Sequence, residues 1–507
     1  MKQKKLERYL PWLIVALTFF LRIFRAKTLF PFTMDEEYQA FLVKQILEAR
    51  HFPLIGVNVA DTGLYLGPFF TYLSAIPYAL FGPSPIGGAI LAALIGAATT
   101  WLIIKVGETI NKPVGLLAGL FYAVSFLANS YDRKFWNPSL MLFLAVLLIF
   151  SLLNIRHNRR WLLVVIGVFG MAFHTHYALL ALLPVTIGFL LKEKIKVSRL
   201  ELKRGMLILA IFLLPLIVFD LRHNFTNTRA GLNLITFTNV SFNRTQDLGT
   251  GSLLLRQTLD RLIYVPGQHD LAQEIVWCDQ AVRSKPLLPV SLLIILAFII
   301  LSQTIKKSSS KKLFFLLVFS FISFGLIWFV YPGKMSEYYL LPLFPITYLT
   351  LAWAFETGME KAKPIIKGIL AGGVVLLVIY NTWSVIDMKN SFGLKKKEQL
   401  IAWTANQVGE SSYSLESLGT CHTFEGYRYL FEAYYKIPAS SYMDSYFSWL
   451  YPEEEREGEQ IEKEVIVWND LGEADETARE IWQEEQTKAA DNIIASFGEI
   501  KVLIKDK

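Results

Sequence analysis

Apolar runs recur along the first three quarters of this chain, separated by short polar breaks rich in Lys and Arg. Crossing a bilayer takes roughly 17 to 25 mostly apolar residues. The first run, residues 10–24, follows Lys2, Lys4, Lys5 and Arg8, and Arg22 and Arg25 sit near its far end, where long basic side chains are expected to snorkel. No small-residue cleavage site comes after it, because Arg25-Ala26-Lys27 leads straight into Phe30-Pro31-Phe32. It reads as an uncleaved anchor with a cytoplasmic amino terminus.

Residues 28–85 are too polar, and too often broken by Gly and Pro, to cross cleanly. Residues 39–49 predict a short amphipathic helix and 68–80 a short apolar one, both lying along the outer surface. Later runs then alternate inward and outward: 86–106, 114–130, 139–153, 161–173, 178–191, 206–219, 287–305, 314–330, 339–355 and 365–383. With the first run this makes about eleven spans, and every basic cluster falls inside: Lys105 and Lys112; Arg156, Arg159 and Arg160; Lys192 to Arg204; Lys306 to Lys312; Lys361 and Lys363. Making 68–80 a span would put all of these clusters outside, which rules that choice out.

Composition agrees, with 53% hydrophobic and 18% charged residues in 507. The net charge of +7 conceals a division: residues 1–383 hold 37 Lys+Arg against 19 Asp+Glu, and residues 384–507 hold 13 against 24. Because the basic part is also the apolar part, its charge reflects cytoplasmic loops and gives no ground for nucleic-acid binding. Residues 384–507 contain no span. Strand patterns at 463–468 and 499–504 and a helix at 473–486 predict a small extracytoplasmic α/β domain, with the acidic run 453–464 as its solvated face. Cys278 and Cys421 are too few for a zinc site, and one bridge or two free thiols both remain open.

With this topology, polar residues collect on the outer side. Asp35, Glu36 and Glu37 lie in the first external segment; Asp132, Arg133, Lys134 and Asn137 in the second; His174, His176 and Tyr177 in the third. Arg222 and His223 open the long segment 221–286, and Lys334, Glu337 and Tyr338 form the last. Plainer roles compete for several of them. Arg133 and Lys134 suit interfacial anchors, and Tyr131, Trp136 and Tyr331 suit an aromatic belt. His174 and His176, two residues apart, point to different sides and do not share a metal. The sequons at Asn224 and Asn243 matter only in a host that glycosylates them. Asp35 and Glu36 differ, since Phe30, Phe32 and Tyr38 around them leave an acidic pair without structural employment. A catalytic mouth facing outward is the reading.

A first span ending in Arg, Asp35-Glu36 opening a long external loop with surface helices, Gly67-Pro68, and Phe81-Gly82 ahead of the second span together resemble the GT-C membrane glycosyltransferases. The nearest groups are the protein O-mannosyltransferase and aminoarabinose transferase superfamily and its bacterial relatives. The resemblance covers residues 10–383. It implies an all-α polytopic GT-C domain at 1–383 beside the α/β domain at 384–507, in the cell membrane. It also implies a polyprenyl-phosphate sugar donor, with Asp35 as base, Glu36 as its neighbour, and Asp132 to Asn137 as the second external loop. Many relatives carry Pro-Pro, Lys or His where this chain has Leu66-Gly67-Pro68, and Arg where it has Ile86-Gly87-Gly88. Phosphate contacts are therefore expected from Arg133, Lys134, His174, Arg222 and Lys334, with His176, Tyr177, His223 and Tyr338 as further substrate contacts. The chemistry demands no cofactor, although Asp35 and Glu36 are compatible with a weakly held divalent ion. The expected activity is inverting sugar transfer to an extracytoplasmic protein, lipid or envelope glycan. A carrier of lipid-linked sugars is the rival, but repeated halves and polar groups at mid-membrane, the usual marks of one, are missing. Sugar and acceptor stay open.

Overall fold

The computed structural model describes residues 2–59, 62–236, 248–267, 269–271, 289–305, 307–330, 336–418, 425–447, 450–451, 460–470, 476–487 and 493–507. A helix stands at each predicted span, from Lys2–Ile23 to Pro364–Ile386. Among the described residues, five are long and apolar enough to cross a membrane unaided: Ile86–Gly107, Asn137–Asn154, Arg199–Arg222, Ser308–Phe329 and Pro364–Ile386. Lys112–Val124 and Phe126–Asp132, bent by 67°, would make a sixth if taken as one span. Trp161–Ala172 and Val290–Thr304 are shorter, and Lys2–Ile23 opens with a charged turn.

Arg199–Arg222 and Pro364–Ile386 keep most of their apolar side chains exposed, among them Leu207, Ile211, Ile369 and Leu376. These are the side chains that lipid would cover. At one end of the helices, Glu193 pairs with both Arg156 (3.2 Å) and Lys312 (3.0 Å), and Arg159 pairs with Glu201. Three basic loops far apart in sequence therefore meet at one face of the bundle.

The helix expected at 39–49 begins earlier, as Met34–Leu47, and is buried from Glu36 to Val43 where the carboxy-terminal domain packs on it, not laid on the surface; the one expected at 68–80 is Phe69–Phe81. On the second, Phe70, Thr71, Ser74 and Tyr78 are buried while Tyr72, Ile76 and Leu80 are exposed, which is the division of an amphipathic helix.

Near the carboxyl end, strands β1 (Tyr413–Leu418), β2 (Ser440–Ser441), β3 (Lys463–Asn469), β4 (Ile493–Phe497) and β5 (Ile500–Asp506) form one sheet in the order β2-β1-β3-β5-β4. β1 runs parallel to β2 and β3, and β5 runs antiparallel to β3 and β4. The Glu476–Thr487 helix packs Trp482 on Trp468 of β3, ring centres 5.3 Å apart. The sequence predicts β3, β5 and this helix but not β1, β2 or β4. This domain docks on Met34–Leu47: Lys44 pairs with Glu432, Gln45 donates to the Leu450 carbonyl, and Tyr38 packs against Phe447.

Candidate active site

The acidic triplet lies on the first turn of Met34–Leu47, where unpaired backbone N–H groups and the helix dipole favour negative charge. Thr33 is the N-cap, and Glu36 Oε2 accepts from its backbone N–H (2.9 Å) and its hydroxyl. Helical geometry then sends the three carboxylates in different directions. Glu37 turns into the docked domain and accepts from the Tyr429 N–H at 2.8 Å, and burial pushes its carboxyl up to about 8. Glu36 is buried too, which raises its pKa. Its second oxygen has no hydrogen-bond partner among the described residues, and Glu36 lines a small cleft with Phe30, Gln39, Ser74 and Tyr78. Asp35 alone is open, its side chain 51% exposed.

Opposite stands Lys134, fully buried, with Nζ 2.9 Å from Asp35 Oδ2 and 3.8 Å from Glu36 Oε2. The same ammonium lies over the Trp136 ring, 4.0 Å from its centre. Trp136, expected in an interfacial belt, is instead buried as the floor under this lysine, with Tyr338 4.8 Å away, and His176 lies against both Tyr338 and Tyr339. Among these rings burial pushes His176 down to about 4, so it is neutral at neutral pH. Its Nδ1 accepts from the Ala178 N–H, starting a short 3₁₀ turn.

Asp132 and Arg133 have protein partners. Arg22 does not snorkel: it is buried, with Nε 2.6 Å from Asp132 Oδ2 and its guanidinium over the Tyr122 ring. Gly96 makes this possible, since a Cβ there would fall 2.6 Å from Arg22 Nε. Tyr122 also donates to Asp132 at 2.6 Å. Arg133 donates to the carbonyls of Leu21, Arg22 and Phe24, closing the end of the first helix, and burial pushes it down to about 9.

A second network runs behind Glu36. Thr71 donates to Gln39, Gln39 to Asn137, and Asn137 to the His174 carbonyl, at 2.8, 3.0 and 3.2 Å. His174 Nδ1 accepts from the Phe69 N–H, so Nε2 carries the proton and donates to the Phe212 carbonyl at 2.8 Å. The ring covers Gly67, where a Cβ would lie 2.1 Å from Nδ1, which accounts for the Leu66-Gly67-Pro68 stretch. Tyr177 reaches the Tyr65 carbonyl.

Other expected residues lie apart. Arg222 and His223 are exposed at the end of Arg199–Arg222, His223 stacked on Phe219, and no described contact joins them to Asp35. Lys334, Tyr331, Asn243, Cys278, Cys421 and residues 452–459 of the acidic run fall outside the described residues. Sequence reasoning missed Gln39 and Lys397, and it placed Glu337 in the last external segment without its buried partner Arg261 (2.9 Å), a pair that Tyr131 and Thr258 complete. Tyr131 is thus a buried donor and not a belt residue. Among the described residues no three His, Cys, Asp or Glu side chains converge as metal ligands.

Residues 66–221 match the family model described as Dolichyl-phosphate-mannose-protein mannosyltransferase, a stretch that begins after the acidic turn. In structure the chain is similar to ArnT from Cupriavidus metallidurans bound to undecaprenyl phosphate, with TM-score 0.61, 11% identity and 97% of each chain covered. The apo form of that protein gives 0.59 at 11% identity, with the same coverage. The Archaeoglobus fulgidus oligosaccharyltransferase complex with Zn and sulfate gives 0.50 at 12%, over 90% of this chain and 67% of that one. No curated protein matches the chain. The architecture is the GT-C fold, in a multi-pass membrane protein with a small carboxy-terminal sheet. The structural likeness to ArnT covers the sheet domain as well as the helices, whereas the family model ends at residue 221.

Proposed function

We propose that this chain is an inverting membrane glycosyltransferase that moves a sugar from a polyprenyl-phosphate donor to an extracytoplasmic acceptor. One observation carries the reading: in a GT-C fold, Asp35 is the carboxylate of the acidic turn that stays open to an incoming group, while buried Lys134 holds one of its oxygens. A base must be reachable and oriented, and this one is both.

Asp35 takes the proton of the acceptor hydroxyl as its oxygen bonds to the anomeric carbon. The bond from that carbon to the phosphate oxygen breaks on the opposite face, and the polyprenyl phosphate leaves with the electron pair. A cation near the leaving oxygen lowers the cost of its developing charge. Of the basic side chains expected there, Arg133 and His174 are held by backbone groups, which favours Lys134, Arg222 and Lys334 for the phosphate. His176, Tyr177, His223 and Tyr338 remain proposed substrate contacts. The scheme needs no metal, and a divalent ion held at Asp35 and Glu36 would show as inhibition by a chelator.

The meeting of the basic loops at Glu193 supports a cytoplasmic amino terminus and an extracytoplasmic carboxy-terminal domain. The test combines mass-spectrometric detection of polyprenyl phosphate in the purified protein with radiolabelled-sugar transfer in membranes. Bound lipid and transfer are expected. Movement of lipid-linked sugar across the membrane without any new glycosidic bond would make the protein a carrier.

A further inference from the structure

We infer that Lys397, in the carboxy-terminal domain, is a positioning residue that sets the aim of Asp35 and Glu36, a role that rests on the transferase reading above. Lys397 lies in the Leu394–Val408 helix, and its side chain is completely buried. Its Nζ donates to the Phe32 carbonyl at 2.7 Å and to the Glu425 carbonyl at 2.9 Å. One amino group thus ties the segment entering the acidic helix to the residues that enter the Tyr427–Tyr434 helix.

The tie falls where the backbone is under strain. Phe32 has φ of +42°, a left-handed conformation unfavourable for a bulky residue, and it directly precedes the N-cap Thr33. Such a conformation persists only when its surroundings hold it. Apart from the Phe30 ring, 6.5 Å away, the contacts that hold Phe32 come from the docked domain. Besides Lys397, Tyr429 packs its ring 5.9 Å from that of Phe32, and Gly426 approaches so closely that a Cβ there would lie 2.8 Å from the Phe32 oxygen. The preceding residues are gripped as well: Leu394 N–H donates to the Phe30 carbonyl (2.8 Å) and Asn390 to that of Leu29 (2.9 Å).

The consequence is geometric. Asp35 follows Phe32 by three residues, so relaxing Phe32 rotates the first helical turn that carries both carboxylates. Lys134 reaches Asp35 from a different part of the chain, and a rotated turn would break that alignment. Burial lowers the Lys397 pKa to about 7 against the opposing pull of Glu37, Glu36 and Glu425, and its N–H groups donate to the two carbonyls whether the amine is charged or neutral. A hydrophobic residue would pack there at lower cost, so the lysine is retained for what its N–H groups hold.

The experiment uses the full-length protein in membranes, with Lys397→Met, which matches length without donors, and Lys397→Gln, which keeps a donor. Lys501→Met, in the same domain at a half-exposed site, is the control. For Lys397→Met, kcat should fall by about tenfold or more while donor KM stays within about twofold, because the interaction acts on the turnover step and not on donor binding. Hydrogen exchange should rise by about fivefold or more in residues 33–37, with residues 86–107 and 463–469 unchanged, and Lys397→Gln should be intermediate. Unchanged kcat, unchanged exchange in 33–37, or exchange raised throughout the domain would each overturn the positioning role. If Lys397→Met does not fold, Lys397→Gln decides by the same criteria. An inactive wild type would overturn the transferase reading instead, and the exchange measurement would still show whether Lys397 holds the turn.

Discussion

Lys134 Nζ stands 2.9 Å from Asp35 Oδ2, with the lysine fully buried and the carboxylate half exposed. The asymmetry matters. A surface ion pair leaves both partners free to reorient and contributes little. Here the cation is buried over the Trp136 ring, so the carboxylate is aimed while one of its oxygens remains reachable. A base needs that combination.

Asp35→Asn keeps the shape and most of the hydrogen bonding but cannot accept a proton. Sugar transfer should fall by about 10² to 10⁴, the usual effect of losing general-base catalysis, with donor binding preserved. Radiolabelled transfer measured beside binding of a polyprenyl-phosphate analogue tests this. Full activity in the variant would move the role to Glu36.

The Arg22–Asp132 pair is sealed from solvent, so removing one charge strands the other. Arg22→Met should destabilise the protein by about 3 to 5 kcal/mol, and Arg22→Met with Asp132→Leu should recover a large part of that. Thermal unfolding in one detergent, compared across the two variants, measures the difference. Equal loss in both would mean that Arg22 contributes by packing alone.

How much of this was legible in the chain varies by residue. Apolar helices were readable because apolar runs are a local property, and Asp35-Glu36 stood out because carboxylates among Phe30, Phe32 and Tyr38 need a reason to be there. Pairings were not readable. Lys134 lies 99 positions from Asp35, and Asp132 lies 110 from Arg22, so nothing near either residue announces its partner. Arg22 was expected to snorkel because most basic residues at a span end do, and the room that Gly96 leaves for it exists only once two helices are packed. Strand β4, Ile493–Phe497, is five residues long and is defined mainly by its pairing with β5. Lys397 is one of three consecutive lysines, and nothing local separates the buried one from its neighbours.

Sidedness is tested by labelling. In a protein whose native cysteines have been replaced, Ser308→Cys, at an exposed position beside the basic loops, should react with an impermeant thiol reagent only from the cytoplasm. Gln483→Cys, exposed on the Glu476–Thr487 helix, should react only from outside. Reaction of both from one side would contradict the orientation.

The last expectation concerns acid. Burial among Tyr338 and Tyr339 lowers His176 from 6.5 to about 4, disfavouring the protonated ring in the folded protein. In the unfolded chain the same ring binds a proton near its ordinary pKa. Between those two values the unfolded state holds more protons, so acidification drains stability from the fold: the contribution is intact above about pH 6.5 and lost as pH falls towards about 4. The ring is only partly buried, which makes the loss roughly 1 to 3 kcal/mol. His176→Asn keeps an acceptor for the Ala178 N–H but does not titrate, so the variant should lose less stability than the wild type over this window. Unfolding midpoints taken at pH 7.5 and at about pH 4.5, for both proteins in the same detergent, give the comparison. Parallel pH dependence in the two would mean that His176 is protonated as easily in the folded site as in water, and the aromatic wall beside Lys134 would then be open to solvent.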